Sequence, residues 1–250
     1  MIRSLVIFFA TALLFTFCST PEKFKFDELT IVTKDSETLS KWYSQNLGFM
    51  DSKDHSLLYH DNLTIKLTQN TEAKHRDSVE RAYNVNYLPG IFKFGFKTNQ
   101  FDGLVDHLKK NNVQFVGSVM EDTILNRRMV IVKDPEANYI QLFEDNGPDK
   151  LKPYFLAVIS EDIGSQEKWY QVNFPVDRTH LFDREDPDVF IRILRGNDVA
   201  IELIQPQESD IQKELDYSQI TGFYSIGITG ASVAFEKDAE GNLIYNTPKN

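Results

Sequence analysis

Five histidines and one cysteine are the residues of this 250-residue chain with the most chemistry to offer, and their spacing limits what they can do. His55 and His60 flank an expected hairpin, His75 falls in a polar connection, His107 on the charged side of a helix and His180 in a loop. None pairs with another at the four-residue helical spacing of a zinc motif, so each is expected at the solvated surface. No glycine-rich phosphate loop and no Gly-x-Ser-x-Gly elbow occurs. The only cysteine, Cys18, precedes the whole expected folded region, so disulfides and thiol chemistry are not expected there. With 37 acidic against 27 basic residues the net charge is −10. Nucleic acid is therefore an unfavoured partner, because phosphate binding needs a basic face.

The cysteine has a role of another kind. Arg3 and the apolar run Leu5 to Phe17 have the layout of an export signal, and the run is too short to cross a bilayer core of roughly 30 Å comfortably. Leu14-Phe15-Thr16-Phe17-Cys18 resembles a bacterial lipoprotein box, in which the cysteine takes the lipid and becomes the new N-terminus. The expected location is the cell envelope, with membrane attachment through Cys18. Soluble periplasmic or secreted protein is the alternative.

The elements beyond the leader come in repeats. Asp35 to Asn46 aligns without a gap on Asp162 to Asn173, keeping Asp, Lys, Trp, Tyr and Asn in step and holding both tryptophans of the chain. Such self-similarity marks a duplicated unit. Each copy follows a β-branched strand and opens with an aspartate suited to cap a helix. Four strand–helix–three-strand units result. The first has strands at 29–33, 56–59 and 63–68 around a helix at 35–45. The second starts at Ile91 and closes with the Asp134-Pro135-Glu136-Ala137-Asn138 turn. The third covers 154–204. The fourth, paralleling the second through Gly222, Gly227 and Asp238 to Asn242, is truncated and lacks the helix. The expected organisation is a signal segment 1–18, a tether 19–25, a first half 26–146, a linker 147–153 and a second half 154–248. Trp42 and Trp169 are expected as core anchors beneath the helices.

This pattern resembles the vicinal-oxygen-chelate superfamily of glyoxalase I, bleomycin-resistance proteins and extradiol dioxygenases. The residues that carry the resemblance are the opening Asp35, Trp42-Tyr43 and Leu47-Gly48-Phe49, and the closing Asp134-Pro135 with Asn138-Tyr139-Ile140-Gln141-Leu142. It implies an α+β fold of four βαβββ units, the last truncated, in two cup-shaped mixed-sheet halves that each hold a ligand or metal inside the cup.

Carrying the family's metal positions over gives Glu28, Lys66, Ile91 and Gln141 in the first half, and Phe155, Glu202, Phe223 and Tyr245 in the second. A catalytic divalent metal needs about three ligands with free lone pairs. Neither set supplies them, and the Lys66 ammonium would repel a cation. No metal and no cofactor are therefore expected. The first cup keeps a polar lining of Glu28, Thr30, Thr64, Lys66, Thr68, Lys93 and Gln141. Either Glu28 and a lysine seal a vacated cavity, or the lining takes a small polar or anionic molecule. In the second cup Glu202 and Tyr245 stand among Phe155 and Phe223, which favours packing over a ligand.

The functional expectation is an exported, lipid-anchored, metal-free binder of a small molecule or an envelope partner, more binding protein than enzyme. Two rivals stand beside it: an enzyme of the same superfamily (a lyase, isomerase or dioxygenase) with a rebuilt site, and a structural envelope protein with filled cups. The sequence leaves the oligomeric state open.

Overall fold

In a computed structural model of the chain, the described residues are 24–83, 87–147, 151–183 (180–183 as backbone), 189–206, 215–230, 234 and 236–246. The leader and Cys18 lie outside them. No helix among the described residues is long and apolar enough to cross a membrane.

The first unit runs β1 (Lys25–Thr33), α1 (Ser36–Leu47), β2 (Met50–Asp51), β3 (Leu57–His60) and β4 (Leu63–Gln69). A short helix, α2 (Arg76–Tyr83), precedes the second unit of β5 (Gly90–Thr98), α3 (Phe101–Lys110), β6 (Gln114–Asp122), β7 (Arg127–Lys133) and β8 (Tyr139–Glu144). The third has β9 (Lys152–Ile159), α4 (Ile163–Asn173), β10 (Asp177–Asp183), β11 (Val189–Arg195) and β12 (Ala200–Pro206). The fourth contributes β13 (Gly222–Thr229) and β14 (Leu243–Asn246).

The repeated dodecamer forms the same helix twice because its fixed residues make the same bonds twice. Asp35 accepts from the Thr38 amide at 3.0 Å, and Asp162 from the Gly164 and Ser165 amides at 3.1 Å. Both thus satisfy donors that a helix start leaves unpaired. At the other end the Asn46 and Asn173 amides donate to the carbonyls of Trp42 and Trp169, at 3.0 and 2.8 Å. The core anchors are the tyrosines rather than the tryptophans. Tyr43 and Tyr170 are fully buried, while Trp42 and Trp169 are half-buried and meet them edge-on, each with ring centroids 5.1 Å apart.

The sheets do not follow the sequence halves. One six-stranded sheet has the order β14-β13-β1-β4-β3-β2, and one eight-stranded sheet the order β10-β11-β12-β9-β5-β8-β7-β6. The first unit therefore pairs with the fourth through antiparallel β1 and β13, and the second with the third through antiparallel β5 and β9. The expected α+β class and duplication hold, but each cup draws on both halves of the chain. The bounds also shift. Phe24 is buried against Phe174, with centroids 4.6 Å apart, and Lys25 begins β1, so the tether ends before them. Lys152 and Pro153, placed in the linker from sequence, begin β9.

Two loops lock the crossed arrangement. Glu136, in the hairpin before β8, accepts from the Thr33 hydroxyl and the Lys34 amide, both at 2.7 Å, where β1 of the other sheet turns into α1. Glu240, in the matching Asp238–Asn242 turn before β14, accepts from the Ser160 hydroxyl at 2.7 Å and the amides of Glu161 and Asp162 at 2.9 and 2.7 Å. Each sheet thus holds the strand-to-helix corner of the other. An apolar core joins the sheets behind these clasps, with Phe94 of β5 meeting Phe26 of β1 at 5.6 Å and Phe223 of β13 at 6.4 Å.

Candidate functional site

Side chains alternate along a strand, so register fixes which residues share a cup face. Across the six-stranded sheet one row reads Tyr59, Thr64, Glu28, Gly227, Tyr245, and the next Leu57, Lys66, Thr30, Ser225, Leu243. Across the eight-stranded sheet the corresponding rows hold Ile131, Gln141, Gly95, Phe155, Ala200, and then Tyr139, Lys93, Ala157, Glu202, Ile193. The sequence grouping is overturned here. Lys66 and Lys93 line different cups; Gln141 and Lys93 join Glu202, and Tyr245 joins Glu28.

In the six-stranded cup the Lys66 ammonium lies 2.8 Å from Glu28 Oε1. The Tyr245 hydroxyl donates to the same carboxylate oxygen, reaching it across Gly227. The Lys66 side chain is 49% exposed and Glu28 18%, so this cluster opens to solvent. Thr64 and Thr30 are half-buried beside it, whereas Thr68 is exposed further along β4.

The eight-stranded cup is drier. Lys93 Nζ is 2.6 Å from Glu202 Oε2, with side chains 11% and 14% exposed. The rings of Phe92 and Phe155 flank the ammonium at 5.7 and 5.6 Å, close enough for cation–π attraction. Gln141 is buried, and its Oε1 has no hydrogen-bond partner. Gly95 is required between these groups. A Cβ there would lie 2.7 Å from the Gln141 carbonyl and 2.8 Å from Phe155 Cβ. Phe143, Ile159, Ile193 and Ile204 fill the rest, with Leu125 packed among them from the β6–β7 turn, where Asp122 accepts the Ile124 and Leu125 amides at 3.0 and 2.8 Å.

A divalent metal does not fit either cup. The family-type positions hold a carboxylate already paired with an ammonium, accompanied by a phenol or by an amide and a phenyl ring. Among the described residues no group of three or more His, Cys, Asp or Glu side chains could hold a metal ion. The histidines are dispersed: His107 meets the Gln45 carbonyl at 2.8 Å, His75 lies 3.3 Å from Glu136, and His60 packs on Phe49. The His180 side chain is not described. Sequence reasoning did not find the trio of Ser40, Asp51 and His55. Its chemistry is structural, because both the Ser40 hydroxyl (3.1 Å) and Asp51 (2.5 Å) meet the same ring nitrogen, Nδ1. A nucleophile relay needs the hydroxyl on one ring nitrogen and the carboxylate on the other.

Among the described residues, a strongly displaced carboxyl lies in a clasp rather than a cup. Burial pushes Asp134 up to about 7, against the pull of donors from Asn138, Glu136 and Tyr43. Asp238, its counterpart, is raised for the same reason.

Comparison with known proteins agrees with the topology. The model described as "Glyoxalase/Bleomycin resistance protein/Dioxygenase superfamily" matches residues 25–142. Glyoxalase I from Zea mays superposes with a TM-score of 0.57 at 13% identity, over 83% of this chain and 74% of that one. A putative dioxygenase from Bacillus subtilis gives 0.59 at 12% identity, over 90% and 86%. At such identities the likeness is one of fold. A search of curated proteins finds no match.

Proposed function

Residues 25–142 are a domain of the glyoxalase/bleomycin resistance protein/dioxygenase superfamily, and from that premise we propose that the chain serves as a metal-independent binding protein for a small polar or anionic molecule. One observation carries the reading: at the superfamily's metal positions the six-stranded cup presents Glu28, Lys66 and Tyr245 as a bonded cluster open to solvent. An ammonium offers three donors, and a carboxylate of the ligand competes for them with Glu28. The half-buried hydroxyls of Thr30 and Thr64 give such a ligand further fixed partners. The eight-stranded cup supports a different role, since its ion pair is enclosed by rings and aliphatic chains; it serves the core.

Attachment to the cell envelope through a lipid on Cys18 belongs to the same proposal and rests on the sequence of the leader. Native mass spectrometry of the protein from its own host should show a co-purifying small molecule. Lys66→Met should weaken its rebinding tenfold or more with the melting temperature unchanged. Elemental analysis showing about one transition metal per chain would refute the reading and favour a metal-dependent enzyme.

A further inference from the structure

Strand β6 ends the eight-stranded sheet, with β7 on one side and no described strand on the other. Seven of its nine residues are exposed, and its outer row of N–H and C=O groups has no partner among the described residues. A bare edge is a template for another strand, and proteins blunt such edges with lysine, proline or a bulge. From Gln114 to Met120 this edge has neither charge nor proline, and Val116, Val119 and Met120 are 36%, 37% and 49% exposed. It does have a bulge. Val116 pairs with Ile131 and Met120 with Met129, so four steps along β6 span two along β7, with Gly117 at φ +84° between them. A bulge spoils register against an ordinary strand but not against an identical one, where the extra residues match.

We propose that β6 pairs with β6 of a second copy of this chain, antiparallel about a two-fold axis at Ser118, joining two eight-stranded sheets edge to edge. The segment is self-complementary about that point: Val116 of each copy faces Met120 of the other, and Gln114 faces Asp122. Val116 and Met120 share one face, because their partners on β7 are two residues apart. The axis therefore gathers four apolar side chains that each chain alone leaves in water. Charge selects the same direction. Glu121 stands opposite Arg128, which bonds Asp102 of α3, so Glu121 lies on the helix-bearing face. Lys109 and Lys110 end α3 on that face, just before β6 begins. Antiparallel pairing sets the acidic end of one strand beside the basic end of the other, whereas parallel pairing would put Glu121 against Glu121. A contact of this isologous kind closes at two chains.

Sedimentation equilibrium of the full chain in density-matched detergent micelles should show monomer and dimer in proportions that follow concentration. Val116→Lys with Met120→Lys should weaken the dimer at least about tenfold, with the melting temperature unchanged because both side chains are already exposed. Glu121→Lys should weaken it about threefold to fivefold, and adding Lys110→Glu should restore it. Because Ser118 meets its own copy at the axis, Ser118→Cys in a Cys18→Ser background should form a disulfide-linked dimer under mild oxidation. Lys168→Cys, exposed on α4, should not. A monomer at every concentration up to about 1 mM, or cross-linking no faster at position 118 than at 168, would overturn the proposal. So would a dimer indifferent to Val116→Lys with Met120→Lys, which would assign association to another part of the chain.

Discussion

Removing Lys93 alone should damage the protein more than removing Lys93 and Glu202 together. The ammonium lies 2.6 Å from Glu202 Oε2, with the two side chains only 11% and 14% exposed. Lys93→Met leaves a carboxylate facing Phe155, Ala157 and Ile193 with its counter-charge gone. Breaking a buried pair this way costs about 3–5 kcal/mol, because the remaining charge is desolvated without compensation. In a chain of this size that is a fall of roughly 10 °C in melting temperature. Replacing both partners with methionine removes the charge that was stranded, so the double variant should recover to within about 1 kcal/mol of wild type or exceed it. Urea denaturation at pH 7 of wild type, both single variants and the double closes the cycle. An exposed pair would behave otherwise, at about 0–1 kcal/mol and weakening with salt. A single-variant cost below about 1 kcal/mol, or a double variant as damaged as Lys93→Met, would refute the description of this cup as dry and filled.

Asp134 gives a pH dependence of unusual sign for an aspartate. Its folded value of about 7 stands above the ordinary 3.8, so the folded state holds the proton more tightly. The resulting stabilisation is full below about pH 4 and is lost as pH rises toward 7, up to about 4 kcal/mol. Asp134→Asn should flatten that slope in denaturant titrations at pH 4.5 and 7.5; parallel curves would contradict the assignment. Glu136→Ala removes a buried acceptor from two donors and should cost about 2–4 kcal/mol, while Glu240→Ala removes a half-buried acceptor from three donors and should cost about 1–3 kcal/mol, both measured by the same denaturation. Labelling with a palmitate analogue should mark the full-length protein in its host and not Cys18→Ser, and equal solubility of the two would argue for ordinary secretion.

The helices and most strands were legible because their signals are local. Asp35 and Asp162 as caps, and alternation along residues 63–68, need no knowledge of distant partners. Helix α2 was not legible: of its eight residues only Val79 is buried. It is held by Val79, packed with Leu88 and Ile220, and by Arg76, whose guanidinium donates to the carbonyls of Leu88 and Ile91 at 2.7 and 3.3 Å. No apolar stripe announces a helix fixed by one valine and one arginine. Nor could alternation decide which unit pairs with which. Strand β1 presents Glu28 and Thr30 to a cup whether its neighbour is β5 or β13, because inward and outward faces are the same in either pairing. Register therefore gives these residues other neighbours than the grouping by sequence halves did.

The crossed pairing changes what the duplication means for function. Superposing the halves by sequence puts Glu28 on Phe155 and Lys66 on Glu202, so one half carries the carboxylate where the other carries a ring. Each cup nevertheless contains one lysine and one glutamate in contact, reached from different strands: β1 and β4 in one, β5 and β12 in the other. An ion pair built twice at non-equivalent positions is the outcome expected when a cup without a metal must still neutralise a charge on its floor. What separates the two cups is wetting. Leu125 and the phenylalanines close the eight-stranded cup, while Lys66 remains half exposed beside hydroxyls in the six-stranded one. A ligand can exchange for water at the second without unpacking a core, and that difference, rather than the identity of the charged residues, places the proposed binding function in the six-stranded cup.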